Sequence, residues 1–489
     1  MEPIDQQGPQ TIDLSEPTVV ATAPDQRPSP RPRTLLAGIA SLSLLALMYA
    51  LNNAGDDEPT ATSRAASERS EVVEVQMMGK IAAALLTAVR DTERVAGVLD
   101  NVEVRTVRGR AAKIAVLYAL GLGEIATVEL SELQALMEQY PEDVSERDVR
   151  LAETLETLVF AEEQEEITPE QEDFLVEELG WCGKALLARK HGDRDWLQAQ
   201  GHRAAGVLGF LMLLLFLVAV LFVVGVVLWI RLLYLSAQNP DHLRFAPSRI
   251  HPGFHLEAFA AVLALVIAGQ AVLPALFPEP LTGVFLTHGL ALLGLLVLRR
   301  SGAGAATWLA DVGLHIRQLF GRLLEGIGVY AMALPALFVG GTYTFLLSRF
   351  SPQLHAPSSP LEPLPQPSHP AIDVVLEGNV TQLVLIFLTA VVGAPILEEI
   401  LFRGLLYRFF RGYTSFFSRG WSIFWSALLT AFIFAVIHPQ GLLAVPALTG
   451  LAAGFAVGRE RYGSLIPCMV AHALNNAVVL SIVFLIALS

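Results

Sequence analysis

Apolar residues gather in nine long runs, at positions 35–51, 206–230, 255–277, 282–298, 323–347, 379–397, 421–438, 442–458 and 466–488. A helix that crosses the hydrocarbon core needs about 20 apolar residues, so these runs read as membrane spans, several of them short. Between the first two runs the pattern changes. Over 72–89, 111–119, 130–137 and 149–160 apolar residues recur three and four positions apart, the period of a helix with one buried face. Thr168-Pro169-Glu170 has the form of an N-cap followed by proline at the first helical position. Few positions suggest strands. The expected fold is all-α: a polytopic membrane helix bundle of about eight or nine spans with an extramembrane helical domain inserted at 52–204.

Composition supports the membrane reading. The 489 residues are 53% hydrophobic and 16% charged, with a mean hydropathy of +0.52. A soluble enzyme would carry about 25% charge, and that class is excluded. The formal net charge of -14 sits oddly with so apolar a chain until it is located. Positions 56–178 hold 29 acidic and 11 basic residues, which leaves +4 for everything else. The acidic stretch would repel phosphates and disfavours a nucleic-acid partner. It reads as a solvated face, with docking of a protein partner as the sharper alternative.

The basic residues are periodic. Arg231, Arg244 and Arg249 follow the second run, Arg299, Arg300 and Arg317 the fourth, Arg403, Arg408, Arg411 and Arg419 the sixth, and Arg459 and Arg461 the eighth. Cytoplasmic loops carry such an excess, so the N-terminus is expected in the cytoplasm and residues 52–204 outside it. Residues 1–33, rich in Pro, Gln, Thr and Asp, are expected to form a disordered cytoplasmic tail ahead of a membrane anchor at 34–51. The Pro- and Ser-rich stretch 351–370 reads as an extended loop in which His355 and His369 are bystanders. Cys182 and Cys468 are too few for a disulfide framework or a four-thiolate zinc site.

The chemistry concentrates in 395–476. Inside or at the edge of apolar helices stand Glu398, Glu399, Arg403, His438, His472 and Asn476. Ionisable groups at membrane depth cost about 2.5–3.5 kcal/mol each on insertion scales and are functional candidates by default. Glu399 and Arg403, four apart with the acid first, are placed to pair along one helix side. Glu398 is left over, about 100° round the helix, and a desolvated carboxylate suits general-base work. Ser418 marks the turn between the helices that carry Glu398 and His438, so an antiparallel hairpin brings both to similar depth. His472 and Asn476 share one face of the last helix, and Asn476 can orient His472 or bind substrate or solvent. Phe434, one turn before His438, can pack on its imidazole. One Glu, two His and an Asn can hold and activate a water, and Glu398, His438 and His472 are also a set that suits zinc. A lone membrane histidine such as His288 reads as a helix-to-helix hydrogen-bonding residue. Simple spans put His472 too near the start of its helix. Convergence requires a tilt in 400–412 or a late start to the ninth helix.

Glu398-Glu399-x-x-x-Arg403, Phe434-x-x-x-His438 and His472-x-x-x-Asn476, in this order, resemble the CAAX-protease and bacteriocin-processing (CPBP, or Abi) family of intramembrane proteases. The resemblance covers about 375–489, the expected catalytic core, and more loosely the spans from 255 onward within the membrane region 205–374. It implies an all-helical membrane endopeptidase that hydrolyses membrane-associated peptides or proteins. It assigns water activation to Glu398 and support to Glu399 and Arg403, with His438, His472 and Asn476 binding the water, a metal or the oxyanion. It does not imply a prenylated substrate. Two other readings stay open: a catalytically silent scaffold that recruits partners, and a proton-coupled transporter using the same carboxylate and histidines.

Overall fold

A computed structural model describes residues 32–53, 61–89, 92–100, 102, 104–160, 167–239, 242–248, 250–314, 319–350, 360–361 and 378–488. Residues 1–31 of the expected tail, and His355 and His369, lie outside them. Helix α1 (Pro32–Asn53) is the first span. Helices α2 (Ala61–Val89), α3 (Thr92–Asp100), α4 (Val107–Ala119), α5 (Gly123–Gln139), α6 (Glu146–Phe160), α7 (Pro169–Leu179) and α8 (Trp181–Lys190) form a bundle between the first two spans, over the stretch expected outside the membrane. Helix α9 (Arg194–Gln238) returns the chain to the membrane. Helix α10 (Pro252–Val272) follows, then α11 (Pro280–Ala291), which a 3-10 stretch extends, and the short α12 (Ala305–Val312). The remaining helices are α13 (Leu319–Phe350), α14 (Val380–Tyr413), α15 (Arg419–Val436), α16 (Val445–Tyr462) and α17 (Ile466–Leu488). Among the described residues there is no strand, and nine helical segments are long and apolar enough to cross a membrane. The protein is an all-α, multi-pass integral membrane protein.

The acidic bundle closes around Leu99, Ile114, Leu117, Leu130, Leu133 and Leu155, all fully buried, so its charge lies on the outside. Thr168 caps α7 as its sequence suggests, in a reciprocal box with Gln171. A buried acid there, Glu71, accepts hydrogen bonds from the Thr106 backbone N–H (2.9 Å) and hydroxyl (2.7 Å) at the start of α4. Burial pushes the Cys182 thiol up to about 12, which leaves it an inert core residue.

Helix α9 joins this bundle to the membrane core through a contact with α13 that depends on two residues. Pro335 has no N–H, so the carbonyl of Ala331, four residues earlier, lacks its helical donor. Gly225 lies directly against that carbonyl, where a Cβ would collide with backbone. One turn on, the Trp229 indole N–H donates to the Met332 carbonyl at 2.7 Å. A proline that loosens one helix is matched by a glycine and a tryptophan on its neighbour.

The loop between α9 and α10 is drawn into the base of the core. Arg408, Arg419 and Arg461 donate to the carbonyls of Ala246, Leu243 and His242 at 3.1, 3.1 and 2.9 Å, and the Phe245 N–H donates to the Glu460 carbonyl at 3.1 Å. The turn from α16 to α17 sits beneath it. Ser464 and Leu465 are fully buried, the Leu465 N–H donates to the Gly313 carbonyl (2.9 Å), and Gly463, at φ +66°, abuts the Arg244 carbonyl. Helix α17 starts at Ile466, where the apolar run does, so there is no late start; instead that start lies inside the protein.

Asp311 of α12 ties this base together, accepting from Ser248 (2.7 Å) and His255 Nε2 (2.7 Å) and pairing with Arg408 at 3.3 Å. Burial alone would raise its carboxyl, but His255, Arg408 and Ser248 outweigh that and hold it below the usual carboxylate range.

The α9–α13 contact yields a ranking. Gly225→Val must push the two helix backbones apart and should cost about 1–3 kcal/mol. Trp229→Phe, which gives up one hydrogen bond, should cost about 0.5–1.5 kcal/mol. Denaturant-induced unfolding in detergent measures both, and equal costs would contradict the backbone contact.

Candidate active site

Helix α14 is longer than the run at 379–397 suggests: it continues through the two glutamates to Tyr413. It is also not a uniform α-helix. Thr389–Gly393 and Ile400–Leu406 are π-helical, and Glu398 and Glu399 stand on the short α-helical piece Ala394–Glu399 between them. Such bulges re-aim the side chains that follow and concentrate at functional sites. The first has an identifiable cause. The Ala394 N–H bonds back to the Thr389 carbonyl, five residues earlier, and the next such bond would need an N–H from Pro395. It has none, so the Ala390 carbonyl has no helical donor. Asn476 of α17 supplies one, its Nδ2 donating to that carbonyl at 2.8 Å. Neighbouring Asn475 in turn donates to Asn476 Oδ1 at 3.3 Å. Asn476 thus secures the bend ahead of the glutamates instead of orienting His472.

The two glutamates differ in surroundings. Glu399 is 0% exposed and its Oε1 accepts from Arg403 Nη1 at 2.8 Å and from His472 Nδ1 at 3.0 Å. Arg403, also sealed, donates to the Ala452 carbonyl at 3.1 Å and lies between the rings of Phe434 and Phe455, 4.8 and 5.3 Å from their centroids. Two charges are neutralised by geometry and by the ring faces. Glu398 is 25% exposed, and its Oε2 has no hydrogen-bond partner among the described residues.

That oxygen faces both histidines, 3.7 Å from His438 Nε2 and 3.8 Å from His472 Nε2. The other ring nitrogens fix the tautomers. His438 Nδ1 lies 2.5 Å from the Phe434 carbonyl, which can only accept, so Nδ1 carries the hydrogen. His472 Nδ1 meets the Glu399 carboxylate in the same way. In their neutral forms both histidines turn a bare Nε2 lone pair towards the Glu398 carboxylate. Three acceptors converging on one point call for a proton donor between them. Phe434 packs on His438, with ring centroids 4.0 Å apart, and edge-on to His472 at 6.0 Å.

Glu398, Glu399, Arg403, Phe434, His438 and His472 therefore belong to one cluster, and Asn476 joins the bulge ahead of it. As arranged, however, no three His, Cys, Asp or Glu side chains among the described residues form a group that could hold a metal ion, Glu398, His438 and His472 included. His288 of α11, expected to hydrogen-bond from helix to helix, bonds the Val284 carbonyl of its own helix and rests its ring on Gly393 of the first bulge. No motif marks it, because its partner is a glycine far along the chain. A proline within the motif-bearing apolar run was the one sequence signal for the bulge.

Asn476→Leu should leave the Ala390 carbonyl unpaired and cost about 1–3 kcal/mol. Adding Pro395→Ala should return some of that loss by restoring an N–H. Hydrogen exchange across 389–399 reads both, and an unchanged exchange rate in the single variant would contradict the role given to Asn476.

No curated protein and no solved structure matches the chain. One family model does, over residues 380–478, a stretch that holds the glutamates, the arginine, both site histidines and the asparagine. By that match this segment is similar to the family described as Type II CAAX prenyl endopeptidase Rce1-like, in agreement with the resemblance that the three motifs carry.

Proposed function

We propose that the protein is an intramembrane endopeptidase of the CAAX-protease type, hydrolysing peptide bonds of membrane-associated peptides or proteins with a water activated by Glu398. The family match supports protease activity in general. The observation that carries the residue roles is the convergence of Glu398 Oε2 with two Nε2 atoms whose tautomers are fixed from behind.

A water held among these atoms donates one hydrogen to Glu398 Oε2 and attacks the scissile carbonyl carbon. Its proton moves to Glu398 as the new C–O bond forms. The carbonyl oxygen becomes an oxyanion, stabilised by an Nε2–H of His438 or His472 in its protonated form. Collapse breaks the C–N bond, and the proton on Glu398 leaves with the amine. Glu399 and Arg403 do not touch the reacting atoms; they hold His472 in place and keep their own charges out of the reaction. Zinc, expected from Glu398, His438 and His472, is not used in any of these steps.

Farnesylated CAAX-type peptides and unprenylated membrane peptides, offered to the full-length protein in nanodiscs, test the assignment. Glu398→Gln should lower the cleavage rate by at least about 10³-fold, and His438→Ala or His472→Ala by about 10²–10⁴-fold. Zinc analysis of the same samples reports any metal. A wild-type protein that cleaves nothing, with or without added metal, overturns the proposal, as does a Glu398→Gln variant of wild-type activity. A cellular phenotype untouched by Glu398→Ala would point to the scaffold reading, and substrate-driven pH changes in sealed vesicles to the transporter.

A further inference from the structure

His288 lies on α11, outside the segment that the family model matches. Three observations set it apart from a histidine that merely joins two helices. Its Nδ1 is 2.9 Å from the Val284 carbonyl of its own helix, so Nδ1 carries the hydrogen and Nε2 is the free acceptor. The ring packs against the bare face of Gly393 in the first π-helical segment. A Cβ placed there would meet His288 Cγ, Cβ and Cδ2 at 3.3, 3.5 and 3.6 Å, and no other atom as near. The ring thereby lies against α14 five residues before Glu398, at the start of the short α-helical piece that carries both glutamates. It is half-buried, so the ring is not sealed into the packing.

An acceptor in this position answers a need of the substrate. A peptide entering a site at membrane depth must be extended for its carbonyl to be attacked, and its backbone N–H groups then lack intrahelical partners. In a water-poor site each unpaired N–H is costly. We infer that His288 is a substrate-positioning residue: its Nε2 accepts the amide N–H of a substrate residue flanking the scissile bond and so holds the peptide over Glu398. Gly393 keeps the gap between α11 and α14 open for this ring. The assignment rests on the proteolytic reading above.

The test is a cycle between enzyme and substrate. In the full-length protein, His288→Leu removes the acceptor, and His288→Gln keeps an acceptor oxygen. In the peptide, each amide flanking the scissile bond is replaced in turn by an ester, which removes one N–H. With the all-amide peptide, His288→Leu should lower kcat/KM about five- to tenfold, and His288→Gln should recover most of the loss. At one flanking position the ester should cost the wild type a similar factor and cost His288→Leu nothing further. A purely structural role would make the two losses additive at both positions. Additive losses with Glu398-dependent cleavage intact overturn this inference alone. Absence of any Glu398-dependent cleavage overturns the proteolytic reading, and this one with it.

Discussion

A carboxylate and a guanidinium sealed side by side at membrane depth, Glu399 and Arg403, set the terms for everything around them. Either charge alone would be intolerable there, and removing one partner of a buried pair typically costs about 3–5 kcal/mol. The pair is tolerable because each member has further partners besides the other. Arg403 also bonds the Ala452 carbonyl and lies between two aromatic faces, and Glu399 also receives the His472 N–H. That last bond reaches into the chemistry. It fixes which nitrogen of His472 is bare, and it leaves Glu398 as the acid of the adjacent pair whose oxygen faces both bare Nε2 atoms. Two neighbouring glutamates come to differ through their partners, with no difference in residue type.

The scaffold serves the same end by departing from regular geometry. Pro395 deprives a carbonyl of its donor, α14 bulges, and Asn476 reaches across from α17 to fill the gap. The acidic bundle is not isolated from this arrangement. Its connecting helix α9 leads into the loop that the arginines of α14–α16 hold by its carbonyls, and that loop covers the buried turn from which α17 begins. His472 is brought to the depth of Glu398 by how far inside the protein α17 starts.

Much of this was legible in the sequence, and the boundary has a physical reason. The nine apolar runs reappear as nine spanning segments because length and composition decide whether a helix can cross a bilayer. The Glu399–Arg403 pair was legible because both members lie on one helix at a fixed spacing. Hairpin symmetry brought Glu398 and His438 to one depth, whereas the spans left His472 too near the start of its helix and only the family resemblance joined it to them. What spacing could not supply were interactions set by backbone irregularity or by unmarked partners. The role of Asn476 depends on a carbonyl that only a π-helical register leaves without a donor. The closeness of His288 depends on a glycine with no side chain to signal the contact. The run at 379–397 ended too early because Glu398, Glu399 and Arg403 read as the polar end of a span, whereas the pair neutralises itself and the helix continues.

Charge repair at the buried pair tests the central claim most directly. Glu399→Gln, Arg403→Met and the double variant would be compared by thermal unfolding in detergent. The account predicts that each single variant is strongly destabilised and that the double variant regains most of the loss, because it leaves no unpaired charge behind. A double variant no more stable than the worse single one, or single variants as stable as the wild type, would show that the fold does not depend on this pair.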